Sequence, residues 1–177
     1  MNQLRNATTK DIEAITELIA LSALKLGGQF YDKNTIESAL KSAFGVDTQL
    51  IKDKTYFVIE KDSQLIACGG WSYRKTLFGS DNNNLRDPEK LNPKADAAKI
   101  RAFFIHPDYA RRGLGNQIIK HCEQEALKRG FQSTELMSTL SGVNFYKKHG
   151  YKGDKTIIHT MNDGNTIEFL PMEKNLI

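Results

Sequence analysis

The segment HPDYARRGLGN, residues 106–116, sets two arginines and two glycines between the apolar run IRAFFI and the helical pattern QIIKHCEQEALKRG. That order predicts a strand turning into a helix around Gly113 and Gly115. The first N–H groups of a helix have no partner within it, and the helix dipole adds roughly half a positive charge at the same end. A phosphate placed there satisfies both. Glycines clear side chains from the backbone and permit turns that other residues resist. Arg111 and Arg112 can add charge-assisted hydrogen bonds to phosphate oxygens. The chemistry on offer is a phosphate or pyrophosphate cradle; a tight turn with two surface arginines is the alternative. Two better-known cradles do not fit, since there is no G-x-x-x-x-G-K-[ST] and no third glycine at the dinucleotide-binding spacing.

Charge supports an anionic partner at this place. Between Lys99 and Phe131 seven basic residues stand against three acidic ones, an excess that equals the formal net charge of +4 of the whole chain. A local excess points to one bound anion and not to a uniformly basic coat. Nucleic-acid binding is not expected, because there is neither a long basic stripe nor a basic motif interleaved with aromatics. The two cysteines, Cys68 and Cys122, lie in apolar patterns and read as reduced core thiols. The four histidines lack ligand spacing, so no metal site is expected. The N-terminus has no apolar signal core, and no apolar run reaches membrane-spanning length, so a cytoplasmic protein without membrane contact is expected.

The elements that must position this turn follow from periodicity and punctuation. QLRNAT reads as a first strand, with Thr9 capping a helix whose inner stripe is Ile12, Ile15, Ile19, Ala23 and Leu26. A second helix is predicted over Asp32 to Phe44. TYFVIE and QLIACGGWSY read as strands joined by a KDS hairpin turn. Residues 77–97 are polar and turn-rich, which is characteristic of a functional or disordered loop. KIRAFFIHP is nearly continuous in apolar content and is predicted to be central in the sheet. A helix over Arg112 to Arg129 follows, then the strand STELMST, a short helix from Ser141 to His149, and a terminal hairpin closed through NDGN. The order β-α-α-β-β-β-α-β-α-β-β predicts a mixed α/β fold in one domain, residues 1–177, with about seven mostly antiparallel strands and about four flanking helices.

FFIHPDYARRGLGNQIIKHCEQEALKRGF, followed by GVNFYKKHGY, resembles the GNAT superfamily of N-acetyltransferases. The likeness is most specific from Ile100 to Tyr151, and the element order extends it over the chain. It rests on two coinciding motifs, the x-x-G-x-G turn after an apolar strand and FY-x-x-x-G-Y downstream. The resemblance implies acetyl-CoA as donor. The amides of Arg111, Arg112, Gly113, Leu114, Gly115 and Asn116 would wrap the pyrophosphate. The backbone of Phe103, Phe104 and Ile105 would pair with the pantetheine arm like an added strand. Tyr146 would protonate the leaving thiolate. The sequence departs from the family pattern at Ala110, where Gln or Arg is common, and at Thr139, where Asn is common; a hydroxyl at 139 could replace one amide contact.

A direct attack in a ternary complex is expected, with a backbone N–H near Phe104 stabilising the oxyanion. Glu60, Glu135 and His106 are candidates for the general base, with a water chain as the alternative. Trp71 and Tyr73 alternate with small residues and share a sheet face. They are either packing residues or an aromatic wall for the acceptor. Three functions stay open: acetylation of a small-molecule amine, acetylation of a protein N-terminus or lysine, and a CoA-binding regulatory module without turnover. The terminal hairpin offers an edge for a homodimer.

Overall fold

The computed structural model describes residues 2–177. Its centre is one seven-stranded sheet in the order β1-β2-β3-β4-β5-β7-β6. The strands are β1 (Gln3–Asn6), β2 (Tyr56–Lys61), β3 (Gln64–Ser72), β4 (Ala98–Ile105), β5 (Ser133–Thr139), β6 (Ile157–Thr160) and β7 (Thr166–Asn175). Every pairing is antiparallel except that of β4 with β5. The apolar run in β4 takes the central place that its composition predicts. Asp62 and Ser63 both have positive φ in the β2–β3 turn, the backbone twist that a tight two-residue hairpin favours.

The helices are α1 (Ile12–Leu26), α2 (Lys33–Ala39), α3 (Thr48–Lys52), α4 (Leu114–Lys128) and α5 (Val143–Lys148). One apolar cluster joins α1 and α2 to the sheet through Ile15, Ile19, Ile36 and Phe44. A second cluster joins α4 and α5 to it through Ile118, Cys122, Phe131 and Tyr146. Helices therefore cover both faces of the sheet.

Three expectations change. The Thr8 N–H and hydroxyl, not those of Thr9, bond the Asp11 carboxylate that starts the first helical turn, at 2.7 and 2.9 Å. The predicted helix over 32–44 stops at Ala39, and α3 is an additional short helix capped by Asp47, whose carboxylate accepts the Gln49 N–H. The segment 77–97 is ordered by long-range polar contacts. Arg101 donates to the carbonyls of Thr76 and Gly79 and to Asp47, and Arg86 donates to the same Asp47.

Candidate active site

β4 and β5 pair at only two positions, Ala98 with Thr134 and Lys99 with Glu135. Beyond Lys99 the strands part, and a cleft of about 920 Å³ opens along the free edge of β4. A bulge shapes that edge. Ala102 and Phe103 stand opposite the single residue Gly69, and Ala102 takes a φ of 54°. For a non-glycine residue this left-handed backbone costs about 1–2 kcal/mol. The structure holds it by turning the Ala102 carbonyl inward, where it accepts the Tyr56 hydroxyl at 3.1 Å and faces the Cys68 thiol at 3.9 Å. Gly69 is required by close approach: a Cβ there would lie 2.7 Å from the Phe103 ring.

One end of the cleft is made of backbone. Arg111 and Gly113 both take left-handed conformations, with φ of 62° and 81°. No side chain caps α4, and among the described residues the N–H groups of 111–116 have no protein acceptor. Six donors at a positive helix end, with Arg111 beside them, form a site for an anion. Gly113 answers to conformation and not to space, because a Cβ there would meet nothing within 4 Å. Gly115 and Asn116 line the cleft with Arg111, and buried Leu114 anchors the turn. Arg112 does not line it; its guanidinium lies over the Tyr109 ring at 5.2 Å. Along β4 the His106 N–H bonds back to Ile66 on β3 at 2.9 Å. By strand alternation Ile105 then points into the gap, and its N–H donates to Ser22 Oγ at 3.3 Å.

Tyr146 stands across from this edge on α5. Its ring meets Phe103, Phe145 and Tyr151 in edge contacts. Its hydroxyl bonds no protein group among the described residues, and the residue lines the cleft. Burial pushes its pKa well above the ordinary value, so the phenol is protonated at any physiological pH. Thr139 also faces the cleft, with its hydroxyl 3.0 Å from that of Ser141.

The other end is made of aromatic side chains. Phe104, Phe44, Phe169 and Phe78 follow one another at centroid distances of 5.8, 6.4 and 5.4 Å. Phe30 and Tyr31 complete the lining on the loop after α1. The Tyr31 hydroxyl donates to the Glu168 carbonyl at 2.6 Å and accepts the Leu140 N–H at 2.8 Å, tying that loop across β7 and the end of β5. Burial pushes its pKa up to about 12.

Several predicted residues are elsewhere. Trp71 is only 1% exposed, packed edge-on against Phe131 and Tyr73, with Arg129 over both rings. Neither Trp71 nor Tyr73 lines the cleft, so they are packing residues of the α4 side and form no acceptor wall. The three candidate bases also lie outside it. Glu60 is held by Arg5, Glu135 is paired with Lys99 at the strand junction, and His106 Nδ1 accepts the Asp108 N–H. Cys68 and Cys122 are fully buried, and burial raises both thiols, Cys68 to about 12.

With this geometry in view, comparison with known proteins is decisive. Residues 52–153 match the acetyltransferase (GNAT) domain family. The chain belongs to the GNAT family. An uncharacterized N-acetyltransferase of Methanocaldococcus jannaschii is 30% identical over 67 residues, which span 36% of this chain and 30% of that protein. A GCN5-related N-acetyltransferase of Rhodopseudomonas palustris superposes with a TM-score of 0.72 at 17% identity, over 99% of this chain and 96% of that one. The PaiA N-acetyltransferase of Thermoplasma acidophilum, solved with coenzyme A, gives 0.65 at 18% identity over 99% of both chains. These solved structures share the GNAT fold, and the bulged, splayed β4 is where this member opens its cleft.

Sequence reasoning misses the residues of the aromatic end. Tyr31, Phe44, Phe78 and Phe169 come from four separate segments, and no spacing links them. The one local signal is the turn-rich stretch 77–97, whose length marks it as a functional loop.

Proposed function

We propose that this chain transfers the acetyl group of acetyl-CoA to a primary amine of a small molecule, by direct attack in a ternary complex. One observation carries the reading. A strand edge left unpaired by the β4–β5 splay runs straight into six unbonded amides at the start of α4. A pantetheine arm needs the first feature and a pyrophosphate the second. Among the described residues no acidic side chain lines the cleft, and Arg111 does, so the charge fits the donor.

The Ile105 N–H, now on Ser22, would pair with the pantetheine arm. Phe103 in the bulge and Phe104 next to it would contribute their backbone, while the Phe104 ring faces the acceptor end. The amine nitrogen attacks the thioester carbon, and a backbone N–H of the bulge stabilises the oxyanion. The N–C bond forms, the C–S bond breaks, and the acceptor's surplus proton goes to water. Tyr146 donates a hydrogen bond to the departing sulfur. Its raised pKa lies above the ordinary thiol value of about 8.5, so it holds its proton better than a free thiol does. An acyl-cysteine route is disfavoured by two buried, protonated thiols.

A small acceptor is favoured because the cover of the acceptor end is tied down. Tyr31 bridges to β5 and β7, Ser38 bonds Asp163 in the β6–β7 hairpin, and Asn162 of that hairpin bonds the Asn82 carbonyl. An extended peptide would have to break these ties. No described helix is long and apolar enough to cross a membrane. A second copy, if one binds, would pair along the free edge of β6 beside exposed Ile158; light scattering over a concentration series decides between one chain and two.

The test is calorimetric titration with acetyl-CoA, then mass-spectrometric detection of acetylated product on panels of small amines and of peptides. Saturable binding with turnover of small amines is expected. Turnover of peptides alone would make it a protein acetyltransferase. Tight binding with no turnover would make it a CoA-binding module, and absence of binding would sink the donor reading.

A further inference from the structure

Resting on that reading of the donor end, we propose that the acceptor is a small amine attached to an apolar ring, taken up as its free base and not met by any carboxylate of the protein. The lining of the acceptor end is the starting point. Four of its phenylalanines already pack in a row, Phe104 on Phe44 and Phe78 on Phe169 edge to face and Phe44 on Phe169 tilted, with Phe104 and Phe78 partly exposed over the buried Phe44 and Phe169. A ligand ring continues that pattern, which favours offset and edge-on partners over stacked ones.

The second observation is what the cleft lacks. Among the described residues, no Asp or Glu lines any part of it. Asp47 is consumed by Arg101 and Arg86, Asp163 by Ser38, and Glu168 is exposed beyond Tyr31. The charged groups that do line the cleft are Arg101, Arg111, Lys148 and, when protonated, His149. Arg101 is already paired with Asp47, and Arg111 and His149 stand at the donor end, so an ammonium brought to the rings would be desolvated with no carboxylate free to pair with it. Burying an unpaired ion costs several kcal/mol, and a cation over an aromatic face returns only about 2 kcal/mol. A polyamine, with more than one charge to place, is excluded most strongly.

Deprotonation follows from the same inventory. The remaining titratable groups of the lining are Tyr31, Tyr109 and Tyr146. Tyr31 and Tyr146 are raised by burial, so neither is a base near neutral pH. His149 packs on Phe145 at the donor end, and burial lowers its pKa. His159 stands behind Phe78 and outside the lining, its Nε2 enclosed, so an amine in the cleft does not reach it. Among the described residues no carboxylate lines the cleft and its one histidine, His149, stands at the donor end, so the amine loses its proton before it reaches the rings. The pH dependence of kcat/KM then belongs to the substrate and not to the enzyme.

The experiment compares 2-phenylethylamine, aniline, spermidine and a peptide with N-terminal phenylalanine on the full chain, after acetyl-CoA binding has been measured separately. Phenylethylamine is expected to exceed spermidine in kcat/KM by about 100-fold, the equivalent of two tenfold steps in transition-state binding. Its kcat/KM should rise about tenfold per pH unit between pH 6 and 9, as its free-base fraction does, while that of aniline, already a free base, stays flat. Equal or better use of spermidine overturns the proposal. So does an inflection at one common pH for both ring-bearing amines, which would reveal a protein base. Use of the peptide but not of the free amine replaces the small acceptor with a chain terminus and overturns it too. Firm acetyl-CoA binding with no turnover of any of these amines sinks this inference and leaves the donor site standing; absence of acetyl-CoA binding takes down the donor reading first.

Discussion

The two ends of the cleft are built from different materials. The proposed donor end is backbone: unbonded amides at residues 111–116, a left-handed glycine, and a strand edge that has lost its neighbour. The proposed acceptor end is side chains, a row of rings held in place by a buried ion pair and by hydrogen bonds between distant segments. Backbone recognition tolerates many side chains, so it suits a donor whose pyrophosphate and amide groups never change. Side-chain walls can be rebuilt by single substitutions, so they suit a partner that differs from one relative to the next. The donor end is accordingly the one that short motifs mark.

Substitutions should separate the two ends. Gly113→Glu places a carboxylate against the pyrophosphate. Acetyl-CoA affinity should fall on the order of 1,000-fold or more, since like-charge contact costs several kcal/mol, while circular dichroism stays native. Unchanged affinity would break the assignment of the donor end. Asp47→Asn attacks the opposite end. It leaves Arg101 buried with only carbonyl partners, a change of about 3–5 kcal/mol in denaturant titrations, with acetyl-CoA affinity in the folded fraction nearly unaffected. The pH course has a definite sign. Burial alone would raise the Asp47 carboxyl, but the hydrogen bond from Arg86 and the charges of Arg101 and Arg86 outweigh it and hold it below the ordinary value. Its stabilisation is thus complete above about pH 4 and is lost as the pH falls through the lowered folded value. Acid titration of the native chain against Asp47→Asn, which should lack this component, checks it.

The motif-bearing end was legible for physical reasons. A helix start, a positive-φ glycine and an adjacent apolar strand are all local, so neighbouring residues in the chain report them. Trp71 was not legible, because β3 is buried along nearly its whole length and alternation alone does not say which face meets a ligand. Nor was the order of residues 77–97, which depends on Arg101 meeting Asp47 from 54 positions away. The splay itself leaves no trace in STELMST, which reads as a strand whether or not β4 follows it.

Two smaller effects sharpen the contrast. Tyr146→Phe keeps the ring and removes only the hydroxyl, so kcat should drop about 100-fold with acetyl-CoA affinity unchanged; retention of full kcat in single-turnover assays would reduce Tyr146 to a packing residue. Ser22→Ala frees the Ile105 N–H before the donor arrives. The competing hydrogen bond to Ser22 is worth about 1 kcal/mol, so acetyl-CoA should bind roughly five-fold more tightly to the variant by calorimetry. No change would mean that pantetheine does not use Ile105.

The two-position contact between β4 and β5 also has a mechanical side. Strands β1–β4 and β5–β7 are two leaves sharing a short spine at Ala98–Thr134 and Lys99–Glu135, where the Lys99–Glu135 ion pair acts as the clasp. A molecule that hydrogen-bonds along β4 and reaches Tyr146 and Thr139 stitches the leaves together beyond that spine. In the proposed binding mode the donor is then also a structural part of the sheet for as long as it stays, and departure of the spent thiol would return the leaves to their single short seam.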